Sequence, residues 1–259
     1  MLPAMKPMRT IGLRSSFPGD CVWHRIWATG AVALVCLAAD AAQSQTAPGE
    51  NRATNAAKVK FNRPSTGAPS VRLTGGSRGA GDSAVTLDVL APDEVGLTTQ
   101  EQPSLFWYQS KPATARFELT LLEDNKVKPL VQVTAERSLK AGIQRVRLSD
   151  HGVKLLPGVE YQWVVALITD PDNRSSDLVA SGMIKRIEAV ADLKKNLSVA
   201  TPKDLPGVYA GAGIWYDALS ALSDRIEVDP GNQVLQESRS DLLRQGGLKG
   251  AVTSPLAAK

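Results

Sequence analysis

Leu155-Leu156-Pro157-Gly158-Val159-Glu160-Tyr161-Gln162-Trp163 is the stretch that decides how this chain folds. Pro157-Gly158 is a turn signal, because proline presets φ and glycine takes backbone angles that other residues resist. Beyond it Tyr161, Trp163, Val165 and Leu167 recur at every second position, which predicts a strand over Val159–Ile168 with one large apolar face. A tyrosine placed just after such a turn has the pattern of a tyrosine corner. Its hydroxyl bonds back to the backbone upstream and pins a connection between two sheets.

The same period of two extends outward in both directions. Upstream it covers Ala84–Leu90, Ser104–Tyr108, Ala115–Glu123 with Phe117, Leu119 and Leu121 on one face, Leu130–Val133, and Ile143–Leu148. In the last of these Val146 and Leu148 oppose Arg145 and Arg147. Downstream, Leu178–Ile187 closes the set. Lys111-Pro112, Glu123-Asp124-Asn125 and Asp170-Pro171-Asp172-Asn173 supply turns between the runs. Several short strands at this spacing predict an antiparallel β-sandwich over residues 71–187. Pro103-Ser104-Leu105-Phe106-Trp107 resembles the strand that carries the core tryptophan of fibronectin-type-III domains. The expected fold is therefore mainly β, an Ig/fibronectin-III-like antiparallel β-sandwich, with Trp107, Tyr161 and Trp163 as structural residues.

After Ile187 the period becomes helical. Val208, Ala212, Trp215, Leu219, Leu222 and Ile226 follow a 4-3-4-3-4 spacing, which predicts one continuous apolar stripe. Asp229-Pro230-Gly231-Asn232 breaks it, a second helix follows over Gln233–Gln245, and Gly246-Gly247 stops that helix. Residues 188–259 are thus expected to form a C-terminal α-helical hairpin docked on the sandwich through Trp215, a fourth structural residue.

At the other end Lys6, Arg9, Arg14 and Arg25 precede an apolar run from Ile26 to Ala39, and Ala39-Asp40-Ala41 offers small residues two apart. These are the parts of a secretory signal peptide over residues 1–41, with a run too short to make a stable membrane span. Residues 42–70 lack apolar periodicity and are expected to form a flexible leader. Loss of the signal leaves 26 basic and 24 acidic residues and removes Cys21, Cys36 and His24. The remaining chain is cysteine-free, with His151 its sole histidine, in the turn-like Ser149-Asp150-His151-Gly152. Disulfides, thiolate nucleophiles and cysteine-based or two-histidine metal sites are then excluded within one chain. The expectation is no cofactor, no metal and, lacking a clustered basic stripe, no nucleic-acid partner. A nucleotide partner is also unexpected. Gly75-Gly76-Ser77-Arg78-Gly79-Ala80-Gly81 lacks the Gly-Lys-Ser/Thr ending of a phosphate loop and leads into a strand pattern, not a helix.

Four residues stand out as ligand-binding candidates. Arg78 offers a charge to a carboxylate or anionic ligand. Tyr108 and Tyr216 lie off the apolar rows and present amphipathic rings suited to stacking. Asp217 is a carboxylate beside Trp215-Tyr216, where burial would raise its pKa. Asp93, Glu94, Glu101, Asp224 and Glu227 are the other acids from which a carboxylate pair for glycan hydrolysis would be drawn.

Blocks in order along the chain resemble the secreted bacterial family known as domain of unknown function 928. They are Phe61, Pro64, Gly67-Ala68-Pro69 and Arg72, then Gly75-Gly76-Ser77-Arg78-Gly79, Leu97-Thr98-Thr99, Pro103 and Phe106-Trp107-Tyr108. Further along come Tyr161-Gln162-Trp163, Asp170-Pro171, Gly213-Ile214-Trp215-Tyr216-Asp217-Ala218-Leu219, Leu242-Leu243 and Gly247-Leu248. The resemblance implies export and one shared architecture, and no activity. The expected function is that of a non-enzymatic periplasmic or secreted binding or protein-interaction module, with an envelope protein or glycan as partner. The alternatives are a carboxylate-dependent enzyme acting on a glycan or envelope polymer, and a ligand-sensing secreted component of a signalling system.

Overall fold

The structure, a computed structural model, describes residues 59–64, 72–76, 85–124, 126–168, 170–248 and 251. The chain divides into two compact units, residues 1–52 and 53–259. The first, with the expected signal peptide, lies outside the described residues.

Among the described residues nine strands form two sheets. They are β1 (Thr74–Gly76), β2 (Thr86–Val89), β3 (Gly96–Thr98), β4 (Ser104–Gln109), β5 (Ala113–Glu123), β6 (Val131–Leu139), β7 (Gly142–Arg147), β8 (Glu160–Ile168) and β9 (Leu178–Arg186). One sheet has the order β1-β2-β4-β7, the other β3-β9-β8-β5-β6. The protein is mostly β, but not purely antiparallel as its turn signals suggest, because β3 runs parallel to β9. Its sequence neighbours β2 and β4 both belong to the other sheet. The connection between them therefore lays three residues along the edge of β9 and makes no hairpin there.

The alternating rows meet in the core. Phe117, Leu119 and Leu121 of β5 lie opposite Leu167, Val165 and Trp163 of β8, and all six are buried. Trp107 stacks on Phe117 with ring centroids 4.8 Å apart and an interplanar angle of 9°. Each such side chain contributes about 1.5–3 kcal/mol by leaving water. The Tyr161 hydroxyl accepts a hydrogen bond from the Leu156 N–H at 3.1 Å, the bond a tyrosine corner requires.

Gly75-Gly76 belongs to β1, not to a loop. β1 pairs with β2, and just before it Leu73 exchanges two 3.0 Å backbone bonds with Ser181 of β9, joining the two sheets. A Cβ at Gly75 would stand 2.6 Å from the Val179 carbonyl oxygen, so this approach requires glycine.

Among the described residues four helices follow: α1 (Ala191–Val199), α2 (Leu205–Gly211), α3 (Trp215–Val228) and α4 (Gln233–Gln245). The stripe from Val208 to Ile226 is thus shared by two helices, which corrects the expected single one. Gly213 interrupts it with φ +77°, and the Ile214 N–H turns back to the Tyr209 carbonyl at 2.9 Å. Helices α3 and α4 are consecutive and pack together, and the Asn232 side chain caps α4 by accepting from the Leu235 N–H at 3.2 Å.

Residues 59–64 depart from the expected flexible leader of 42–70. Val59 and Phe61 are buried. The Gln245 amide donates to the Val59 carbonyl and accepts from the Phe61 N–H, at 2.9 and 2.7 Å. The Asn62 N–H donates to the Ala210 carbonyl at 3.0 Å. Among the described residues no helix is long and apolar enough to cross a membrane.

Candidate functional site

The four ligand candidates do not converge on one place. Arg78 lies outside the described residues. Tyr108 is half-buried on β4, directly between Asp88 of β2 and Ile143 of β7. Tyr216 and Asp217 sit together in the first turn of α3, and both are buried.

Tyr216 corrects the expectation of a surface ring. Its side chain has no exposed area, because Gly96 of β3 leaves room for it: a Cβ there would meet the ring at 2.5 Å. Its hydroxyl accepts from the Trp163 indole N–H at 2.8 Å and donates to the Met183 carbonyl at 2.9 Å. Burial pushes the Tyr216 hydroxyl far above the ordinary tyrosine range. The adjacent Trp215 donates its indole N–H to the Leu90 carbonyl at 2.8 Å and meets Phe61 edge-on at 5.0 Å. The first turn of α3 is therefore a plug against both sheets.

Asp217 is 4 % exposed. Oδ1 accepts from the Thr98 hydroxyl at 2.5 Å, and Oδ2 from the Thr99 N–H at 2.9 Å and the Thr99 hydroxyl. Burial raises its pKa, and these donors oppose the rise without cancelling it. Both oxygens are engaged in tying α3 to the end of β3.

The remaining acids are engaged as well. Asp93 pairs with Arg72 at 3.3 Å, Glu94 with Arg63 at 3.2 Å and Glu101 with Lys154 at 3.3 Å. Asp224 and Glu227 of α3 bind Arg145 of β7, and Glu227 also binds Arg147 at 3.4 Å. Arg145 is a residue whose role alternation alone does not disclose. Its position opposite an apolar row reads as solvated, yet its side chain is 10 % exposed. It lies over the Phe106 ring, 5.1 Å from the centroid, and donates to the Ser104 hydroxyl at 3.0 Å. The signal was its match with two acids one helical turn apart on α3. His151 is exposed in a 3-10 turn over Leu148–His151.

Among the described residues two surface features stand out. One is a depression of about 520 Å³ lined by Val59, Lys60, Asp241, Arg244 and Gln245. Arg244 is already paired with Asp241, and Gln245 with the docked N-terminal segment. The other is the edge of β6. This strand pairs residue for residue with β5 from Val131 to Leu139, and among the described residues no strand pairs along its other side. No proline, lysine or bulge interrupts it. Gln132, Thr134, Glu136 and Ser138 are exposed on its outer face, and Val131, Val133 and Ala135 are half-buried on the inner one. The open side of an edge strand is a template for pairing with another strand.

The fold and these surfaces define a class: a mostly β domain, closed by C-terminal helices whose polar residues bind the fold together. The chain belongs to the family described as Domain of Unknown Function (DUF928), which matches residues 73–256. No curated protein matches it. Among solved structures it is similar, at 11% identity and a TM-score of 0.25, to astrotactin-2, described as a conserved vertebrate-specific and perforin-like membrane protein involved in neuronal development. That similarity covers 63% of this chain and 35% of the other, so the chain spans about a third of astrotactin-2, and no argument rests on it.

Proposed function

We propose that this protein is an exported, non-enzymatic interaction module, working in the periplasm or outside the cell, with the open edge of β6 as its contact surface. The observation that carries this is the contrast between two sets of groups. Tyr216, Asp217 and the acids from which a hydrolytic pair would be drawn are held in bonds within the fold. The backbone groups along one side of a nine-residue strand face no other strand among the described residues. Strand addition to such an edge takes its affinity from main-chain hydrogen bonds and its specificity from alternate side chains. Export is supported by the basic lead and short apolar run before Ala41.

The fold that accompanies this proposal is an Ig- or fibronectin-III-like sandwich. The orders β2-β4-β7 and β6-β5-β8-β9 support it, as do the Tyr161 corner bond on β8 and Trp107 on β4.

The test is photo-crosslinking in cells that produce the full chain. The reactive residue is placed at Gln132 or Glu136 on β6, and at exposed Asp192 on α1 as control. A discrete adduct from the β6 positions alone is the expected result. No adduct from β6, or the same smear from all three positions, overturns the proposal.

A further inference from the structure

We infer that the strand added to β6 is β6 of a second copy of this chain, paired antiparallel about a two-fold axis through Thr134. This rests on the β6 edge being the contact surface, as proposed above, and adds the identity of the partner.

The choice of occupant comes from the sequence of the strand. In antiparallel pairing about a two-fold axis perpendicular to the sheet, directly opposed residues lie on the same sheet face. Each symmetric register is therefore named by its central residue. Centring on Glu136 sets that carboxylate against its own copy, which is repulsive. Centring on Val133 overlaps only Val131 to Ala135, and centring on Ala135 sets Val133 against Arg137, an aliphatic side chain against a charge. Centring on Thr134 sets Thr134 against Thr134, Val133 against Ala135, and Gln132 against Glu136. The Gln132 amide then donates to the Glu136 carboxylate of the other copy, twice by symmetry, and the threonine hydroxyls bond to each other. These are pairings that stabilise antiparallel sheets. Overlap runs from Val131 to Arg137, and the two five-stranded sheets join into one of ten.

Within its own copy Gln132 lies opposite Thr120 of β5, and Glu136 lies opposite Arg116. A charge at position 132 therefore meets no charged residue directly across β5, and its effect is read at the new seam. A single strand-to-strand seam is a small interface, of the class that gives transient complexes. The self-association is expected in the micromolar range or weaker, with Kd above about 1 μM.

The experiment is sedimentation equilibrium on the full chain, from about 1 μM to about 500 μM. It compares wild type with Gln132→Lys and Gln132→Glu, both of which alter an exposed side chain. Wild type is expected to shift from monomer to dimer across this range. Q132K, which makes two Lys–Glu pairs, tightens the dimer, and Q132E, which makes two Glu–Glu pairs, loosens it. Each shift in Kd is about threefold to thirtyfold. A wild type that stays monomeric throughout overturns the self-pairing. So does a dimer whose Kd is the same for all three proteins. Neither result touches the broader proposal, which fails on its own measurement when β6 crosslinks to nothing in cells.

Discussion

At the scale of single residues, Asp217 shows how a side chain that reads as chemistry is used for structure. Three donors, the Thr98 and Thr99 hydroxyls and the Thr99 N–H, converge on it inside the protein. Asp217→Ala strands all three and is expected to lower stability by ~2–4 kcal/mol in urea unfolding. Asp217→Asn keeps an acceptor for the Thr99 N–H, and rotation of a threonine hydroxyl lets it accept from the new amide, so its cost is smaller. The pH dependence follows from the raised pKa. The folded state holds this proton more tightly than the unfolded state, where the carboxyl returns to its ordinary value near 3.8. Its protonation therefore favours folding most fully below that value. That contribution is lost as pH rises through the folded pKa. Asp88, also raised by burial, acts with the same sign. Across the window above pH 3.8 the wild type is expected to lose stability more steeply with rising pH than Asp217→Asn does, measured as urea midpoints at successive pH values. Parallel curves count against a raised Asp217.

At the scale of elements, what could be read from the sequence depended on how far an element's partners reach. β5 and β8 are legible because each carries a row of large apolar residues whose period needs no outside information. β1 and β3 are not, since three residues show no period and their partners lie in other parts of the chain. β6 reads as a stub over Leu130–Val133 because Thr134-Ala135-Glu136-Arg137-Ser138 has little β-branched or aromatic character. Pairing with β5 carries it on to Leu139. The join between α2 and α3 was hidden for a different reason: the two helices share one apolar stripe, so periodicity alone cannot show the break. What sets the break is Gly213, whose φ of +77° suits glycine, and where a Cβ would stand 2.8 Å from the Asn62 carbonyl oxygen. Gly213→Ala is expected to cost ~1–3 kcal/mol and to speed hydrogen exchange at the Asn62 amide, which donates to Ala210 nearby. Gly207, inside α2, has open space where its Cβ would go. Gly207→Ala is expected to raise the Tm, with a gain of ~0.4–1 kcal/mol. If Gly213→Ala leaves both stability and exchange unchanged, the helix break is not held by the glycine.

At the scale of the whole molecule, the boundary at residue 187 between strands and helices is real in the sequence pattern and absent from the core. Trp163 and Val89 of the sheets share one buried cluster with Trp215, Leu219 and Leu242 of the helices and with Phe61 from the N-terminal side. The polar links cross the same boundary: Trp163 to Tyr216, Trp215 to Leu90, Asp217 to Thr98, and Arg145 to Asp224 and Glu227. A chain ending at residue 187 would keep every strand yet lose the groups that satisfy the Trp163 indole and the Leu90 carbonyl. It would also expose the face of Gly96, where Tyr216 packs. A protein with two independent cores would unfold in two steps. Here the helices and sheets share one interior, so the described unit is expected to unfold in a single transition. Tryptophan fluorescence, to which the buried Trp107, Trp163 and Trp215 contribute beside Trp23 and Trp27, and far-ultraviolet circular dichroism should give the same urea midpoint. The 1–187 fragment should show no cooperative transition of its own. Two separated midpoints in the full chain, or a fragment that melts sharply, would mean that the helices are an appendage and that the α3 plug does not complete the sheets.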